Sequence, residues 1–248
     1  WKLILQGESQ EPRTNARFAN GRPLPNQLYN LGAGLSYQRM TDSNHTIAAS
    51  LLVGSNGNHP FGAFRDFMVQ GNIAYKLPEG EDSAWLFFVN FSNNRGFLNY
   101  VPLPGAAYFF RPHEKLRLAL GVPFLALFWT PFDSAIFNLS YYPVQNAQAK
   151  FSYFLFGPAH LFLQAKYSSE NFMLSDRADH RERYFYEEAV AQGGFSMPLE
   201  RYALLEVSGG YSFDRKIFLG RKSSDRGGPN SHLPGKAWLG TAKVTATF

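Results

Sequence analysis

Hydrophobic and polar positions alternate along most of this chain. Over residues 66–77 one set reads Phe67, Val69, Gly71, Ile73, Tyr75 and Leu77, the other Asp66, Met68, Gln70, Asn72, Ala74 and Lys76. Successive side chains of a strand point to opposite faces, so a period of two predicts a strand with one greasy and one polar side. The pattern returns over 205–214, with Leu205, Val207, Gly209, Tyr211 and Phe213 opposite Glu206, Ser208, Gly210, Ser212 and Asp214. At the C-terminus Trp238, Gly240, Ala242, Val244, Ala246 and Phe248 lie opposite Leu239, Thr241, Lys243, Thr245 and Thr247. Residues 29–37, 47–53 and 161–167 alternate in the same way. The apolar sets carry large aromatics beside Ala and Gly, whereas the polar sets are mostly amides and hydroxyls with a few charges.

The connectors come in two kinds. Short ones fall at 41–44, 78–83, 112–115, 131–134, 158–160 and 198–201, and all but the first open with proline, which presets φ for a turn and stops the strand before it. Long ones fall at 10–27, 173–183 and 221–235. Alternating short and long connectors predict an all-β, single-domain (1–248), up-and-down antiparallel array of about fourteen strands, with twelve as the alternative. Keeping that parity requires a tight turn at 122–125 between two strands shorter than the roughly 9–11 residues of a membrane-crossing strand, hence a low wall beside Pro123 or a groove opened to one side. No helix is expected to cross a membrane: the most apolar stretch, 116–132, is broken by Arg117, Gly121, Pro123 and Pro131. No leader pattern follows Trp1, and the chain is expected to be a mature form.

The last strand, alternating Ala242, Val244, Ala246 and ending in Phe248, gives the chain its likeness. Together with the turns, it resembles bacterial outer-membrane β-barrels over its whole length. The proline-opened turns are also similar to an uncharacterised, porin-like barrel group. The resemblance implies a transmembrane barrel in the outer membrane, with Phe248 as part of the signal read by the barrel assembly machinery. Members often carry an aromatic where this chain has Ala246. The soluble alternative is a sandwich or lipocalin-like barrel.

Composition agrees with a barrel. The 248 residues are 17% aromatic and 17% charged, without cysteine, which excludes a disordered chain, a disulfide scaffold and thiolate chemistry. Aromatics near strand ends predict two interfacial girdles: Tyr75, Trp85, Phe110, Trp129, Phe195 and Phe248 on the turn side, and Tyr29, Phe91, Tyr167, Phe185, Tyr211 and Trp238 on the loop side. Basic residues gather on the loop side. Arg177, Arg181, Arg183, Arg215, Arg221 and Lys222 are expected to form a rim that pairs with lipopolysaccharide phosphates, because guanidinium groups grip phosphate bidentately. The basic residues follow loops and not an aromatic-interleaved patch, which argues against nucleic acid.

The polar sets predict the lumen. Its candidate lining is Gln70, Asn72, Lys76, Arg117, Lys150, Lys166, Glu188, Glu206 and Lys243, with the cations set to balance Glu188 and Glu206. The result is either a wet, weakly anion-preferring channel or a closed polar network. The leading expectation is a narrow passive pore for small polar or anionic solutes; the alternative is a non-conducting scaffold anchoring a membrane partner. No cofactor is expected. A rim lipid hydrolase would need Ser175, Ser223, Ser224 or Ser231 beside His180 or His232, with no nucleophile-elbow motif to fix them. Asp176, Asp179, His180 and Glu182 crowd one loop, but Arg177, Arg181 and Arg183 oppose a cation there, so no metal or catalytic residue is assigned. Glu187 is expected to face outward near the loop end of its strand.

Overall fold

The computed structural model describes all residues except 12–14, 144, 178, 201–202 and 247–248, and leaves the side chains of 200 and 244–246 undescribed. Phe248, and with it the assembly-signal expectation, lies outside the described residues.

The chain is all-β, apart from two short 3₁₀ turns at Phe64–Asp66 and Ser223–Gly227. The strands are β1 Lys2–Gln10, β2 Leu28–Met40, β3 Thr46–Gly57, β4 Phe67–Glu79, β5 Ser83–Ser92, β6 Leu103–His113, β7 Leu116–Val122, β8 Leu125–Phe132, β9 Ala135–Tyr142, β10 Asn146–Phe156, β11 Ala159–Phe172, β12 Arg183–Glu200, β13 Ala203–Gly220, β14 Ser231–His232 and β15 Ala237–Ala246. Each long strand pairs with its sequence neighbour in one up-and-down antiparallel sheet, β15 passing over the two-residue β14 to pair with β13. Discounting β14, these are the expected fourteen strands.

Four of the five prolines expected to stop their strands do not: Pro78, Pro112, Pro131 and Pro198 lie inside the ends of β4, β6, β8 and β12, and each strand runs one or two residues past its proline, as a strand end tolerates; Pro158 falls in a turn. Gly80 and Gly157 take positive φ (71° and 50°) in two short turns, and Asn44 does so (59°) where Thr41 and His45 close another. The turn at Pro123 leaves β7 and β8 only 7 and 8 residues long, against 18 for β12 and β13. The expected pair of short strands is there.

The apolar face of the sheet is the exposed one. Leu5, Ile73, Leu163 and Trp238 are 74%, 63%, 67% and 83% exposed, and Leu35, Ile47, Leu51, Phe87, Val89, Phe151, Tyr153, Leu161 and Val207 are exposed with them. Along β3, exposed Ile47, Leu51 and Val53 alternate with the covered Ser50, Leu52 and Gly54.

The described residues fall into two compact units. The first comprises Trp1–Tyr108, Ser169–Tyr186 and Lys216–Leu233. Its core joins Phe18 and Leu24, from the long connector after β1, to Leu28, Phe172, Leu174, Tyr184, Ile217 and Leu219. A smaller cluster sets Met173 on Leu52 and Met68. The second unit comprises Phe109–Ser168, Glu187–Arg215 and Pro234–Phe248. Its covered residues include Ala119, Ala135, Ser152, Phe162, Ser196 and Ser212, small apart from one ring.

Candidate functional site

In the second unit, register assembles the candidate lining. One rung of the polar face runs Arg117, Phe128, Asn138, Lys150, Gln164 across β7 to β11. The next runs Ala119, Ala126, Ser140, Gln148, Lys166. Paired residues share a face, so these ten side chains point the same way. Gln192 of β12 extends the first rung, donating to Gln164 Oε1 at 3.0 Å.

Lys150 is held in place. Its Nζ meets Glu206 Oε1 at 3.0 Å and lies 4.0 Å from the centre of the Phe162 ring. Both partners are largely but not fully covered (18% and 24% exposed), so the pair is partly hydrated and weaker than a dry one. Lys243 is the cross-strand partner of Glu206. Glu188 Oε1 lies 3.7 Å from Arg215 Nε. Arg117, Lys166 and Lys243 are exposed and meet no carboxylate among the described residues. Arg117 instead stacks its guanidinium 5.8 Å from the centre of the Phe128 ring. The expected balancing of cations by Glu188 and Glu206 therefore goes to Lys150 and Arg215.

In the first unit, Gln70, Asn72 and Lys76 lie on one face of β4, opposite exposed Ile73 and Tyr75, with Lys76 itself exposed. The rim divides. Arg177 and Arg183, expected to reach lipopolysaccharide, are buried (3% and 1% exposed). Their donors go to the protein itself. Arg177 Nη1 binds Asp66 Oδ1 at 2.7 Å and the Leu174 carbonyl at 2.6 Å, and its Nη2 reaches the Arg65 carbonyl. Arg183 Nε donates to Asn94 Oδ1 at 3.0 Å, and its Nη atoms to the carbonyls of His180, Glu182 and Asn93. Neither guanidinium is available to a phosphate.

Around Arg183 lies an amide clasp that the sequence reading missed. Asn171 Nδ2 donates to Asn94 Oδ1 at 2.7 Å, and the Asn171 carbonyl accepts from Asn94 and Asn56 at 3.1 and 3.2 Å. It ties β3, the end of β5 and β11 together. The run Ser92-Asn93-Asn94 at a strand end was its only signal.

Arg181, Arg221 and Lys222 are exposed, as the rim requires, and Arg215 is half-buried. Arg221 pairs with Asp179 at 2.6 Å, and Arg22 with Asp176 at 2.9 Å and with Glu182. Burial alone would lower the Arg22 pKa, but the hydrogen bonds it donates to these two carboxylates, and their negative charge, outweigh it and the pKa rises. Asp179 is held below the ordinary 3.8, first by the Arg181 backbone N–H and then by Arg221, against some desolvation. With these acids engaged by arginines, no metal-binding cluster forms among the described residues. His180 lies 3.6 Å from Asp179, and among the described residues no serine is hydrogen-bonded to His180 or His232.

Two further expectations need correction. Glu187 is buried (3% exposed) and does not face outward, because this stretch of β12, with Arg183, Tyr184 and Phe185, is covered on both faces. Phe185, expected in a girdle, is fully buried and stacks on Phe218 at 4.7 Å. Tyr75, Trp85, Trp129 and Trp238 are exposed as a girdle needs.

Comparison with known proteins returns no matching family model, no similar curated protein and no similar solved structure. The class defined here is therefore structural: an all-β, up-and-down antiparallel sheet whose apolar face is exposed.

Proposed function

We propose that the protein is a bacterial outer-membrane β-barrel that passes small anions through a narrow polar interior. The inverted amphipathicity carries this reading: the exposed face is built from Leu, Ile, Phe and Trp, and the polar face holds the charges. Water penalises a continuous apolar surface of this extent, whereas hydrocarbon does not. Lipid also demands a closed ring, since an open sheet edge would leave backbone groups unsatisfied there. Arg117, Lys166 and Lys243, without carboxylate partners among the described residues, support the anion preference. On this reading Arg181, Arg221 and Lys222 meet lipopolysaccharide, and β15 meets the assembly machinery.

The test is single-channel conductance of the refolded protein in a planar bilayer. Discrete steps are expected, with a reversal potential in a salt gradient on the anion side. The variants Lys166→Glu and Lys243→Glu are expected to move it toward cations. Silence from a protein verified as folded by circular dichroism and heat-modifiability overturns the pore reading.

A second reading has its own observation. The amide clasp and the core around Phe18 and Leu24 fill the loop ends of the first unit, as a sealed scaffold barrel would require. It predicts no conductance and a partner that co-purifies from native membranes.

A further inference from the structure

The second unit holds a cavity of about 320 Å³ on the polar face of β6 to β10. At ~30 Å³ per water it has room for roughly ten waters, at the lower edge of the size of small-molecule sites. Ala119 and Ala126, paired across β7 and β8, form its floor and are the reason that it exists, since larger side chains on this rung would fill it. Phe109 and Phe128 supply apolar walls, and Asn138, Ser140 and Gln148 supply amide and hydroxyl groups.

Arg117 is the only charged residue of the lining. It meets no carboxylate among the described residues and is held over Phe128, which orients the guanidinium without neutralising it. The other cation of this rung, Lys150, is already matched by Glu206. The lining thus offers one planar, bidentate cation beside an aromatic surface and a few neutral polar groups. A single guanidinium matches a monoanion in charge and a carboxylate in shape.

We propose that this cavity is a binding station for a small organic monocarboxylate. Arg117 grips the carboxylate, Phe109 and Phe128 hold the hydrocarbon body, and Asn138, Ser140 and Gln148 take any further polar group. This rests on the reading of the polar face as a solvated interior and names the class of solute that it favours.

The test is isothermal titration of the refolded protein in lipid nanodiscs with benzoate, and with benzamide as the neutral near-isostere. Benzoate is expected to bind at least tenfold more tightly than benzamide. Arg117→Gln is expected to abolish that preference. Ala126→Leu, which fills the floor and leaves every charge in place, is expected to weaken benzoate at least tenfold. Arg39→Gln, at an exposed cation of the first unit outside the candidate lining, is expected to change nothing. Equal binding of benzoate and benzamide overturns the proposal, as does undiminished benzoate binding in Ala126→Leu; these two measurements decide the matter even where Arg117→Gln fails to fold. Conductance of the same preparation separates the two readings. A silent barrel that binds benzoate overturns the pore alone, and a conducting barrel that does not bind it overturns the station alone.

Discussion

Replacing Arg177 by Met tests whether the first unit is held by a buried ion pair or merely decorated by one. The Arg177 and Asp66 side chains are 1% and 4% exposed and meet at 2.7 Å. The same guanidinium closes the Leu174 and Arg65 carbonyls. Methionine keeps much of the volume and removes every donor, leaving the Asp66 carboxylate buried without its counter-charge. Breaking one side of such a pair costs about 3–5 kcal/mol, whereas removing both sides costs far less. The loss is local, since the pair ties the 173–182 segment to the 3₁₀ turn at Phe64–Asp66. The assay is therefore the rate of proteolysis within 173–182 under conditions where opening precedes cleavage, which reads the open population. At 1.4 kcal/mol per tenfold, Arg177→Met should raise that rate about 10²-fold or more, up to the limit of a fully open segment. Asp66→Asn should raise it less, and the double variant Arg177→Met/Asp66→Leu should fall below Arg177→Met alone. An Arg177→Met rate within threefold of the parent, or a double variant cleaved as fast as Arg177→Met or faster, refutes the argument.

Other perturbations follow from the same contacts. A Cβ on Gly54 would press on the Leu31 carbonyl and come within 2.8 Å of Gly32 Cα, so Gly54→Ala should cost about 1–3 kcal/mol in denaturant unfolding. Gly240 has open space around its would-be Cβ, and Gly240→Ala should stay within about 0.5 kcal/mol in the same assay. The Asp179 carboxyl is held below its ordinary value, so its contribution is complete above about pH 4 and is lost as pH falls through the lower folded value. Hydrogen exchange at 179–182 should be flat from pH 7 to about 5 after correction for intrinsic rates, rise on further acidification, and lose that rise in Asp179→Asn.

Much of this fold could be read from residue order because the period of two carries two messages at once. Over 66–77 it marked a strand and assigned its faces, and the structure exposes Ile73 and Tyr75 while covering Met68 on the other side. Pro123 likewise marked the break between the short strands β7 and β8, whereas Pro131 sits inside the end of β8. What stayed hidden depends on partners far along the chain. Arg177 and Arg183 look like rim residues in sequence because they sit in a loop rich in charge. Their burial is decided by Asp66 and Asn94, 111 and 89 positions away, which no local pattern announces. One cue was available, in Phe18 and Leu24: two apolar side chains in a long polar connector must find a core or remain exposed, and they found one.

The contrast between paired and unpaired cations is where function becomes arguable. In the first unit Arg22, Arg177 and Arg183 are each engaged by named carboxylates, amides or carbonyls, and what they do is structural. In the second unit Arg117, Lys166 and Lys243 have strand-fixed positions, a common polar face and no carboxylate among the described residues. A charge kept without a partner costs stability through repulsion of its neighbours and is cheap to lose, since a glutamine at Lys166 or Lys243 would fit the same exposed positions. If the unpaired cations are there to meet solute, as the proposed function has it, their removal should stabilise the fold slightly or leave it unchanged while lowering the proposed anion passage. The triple variant Arg117→Gln/Lys166→Gln/Lys243→Gln separates the two possibilities. A folded triple variant with parental denaturant midpoint and reduced anion selectivity supports a functional origin. A variant that loses more than about 2 kcal/mol would instead assign these residues to the packing of the polar face, since exposed substitutions away from structural contacts usually stay within about 0.5 kcal/mol each.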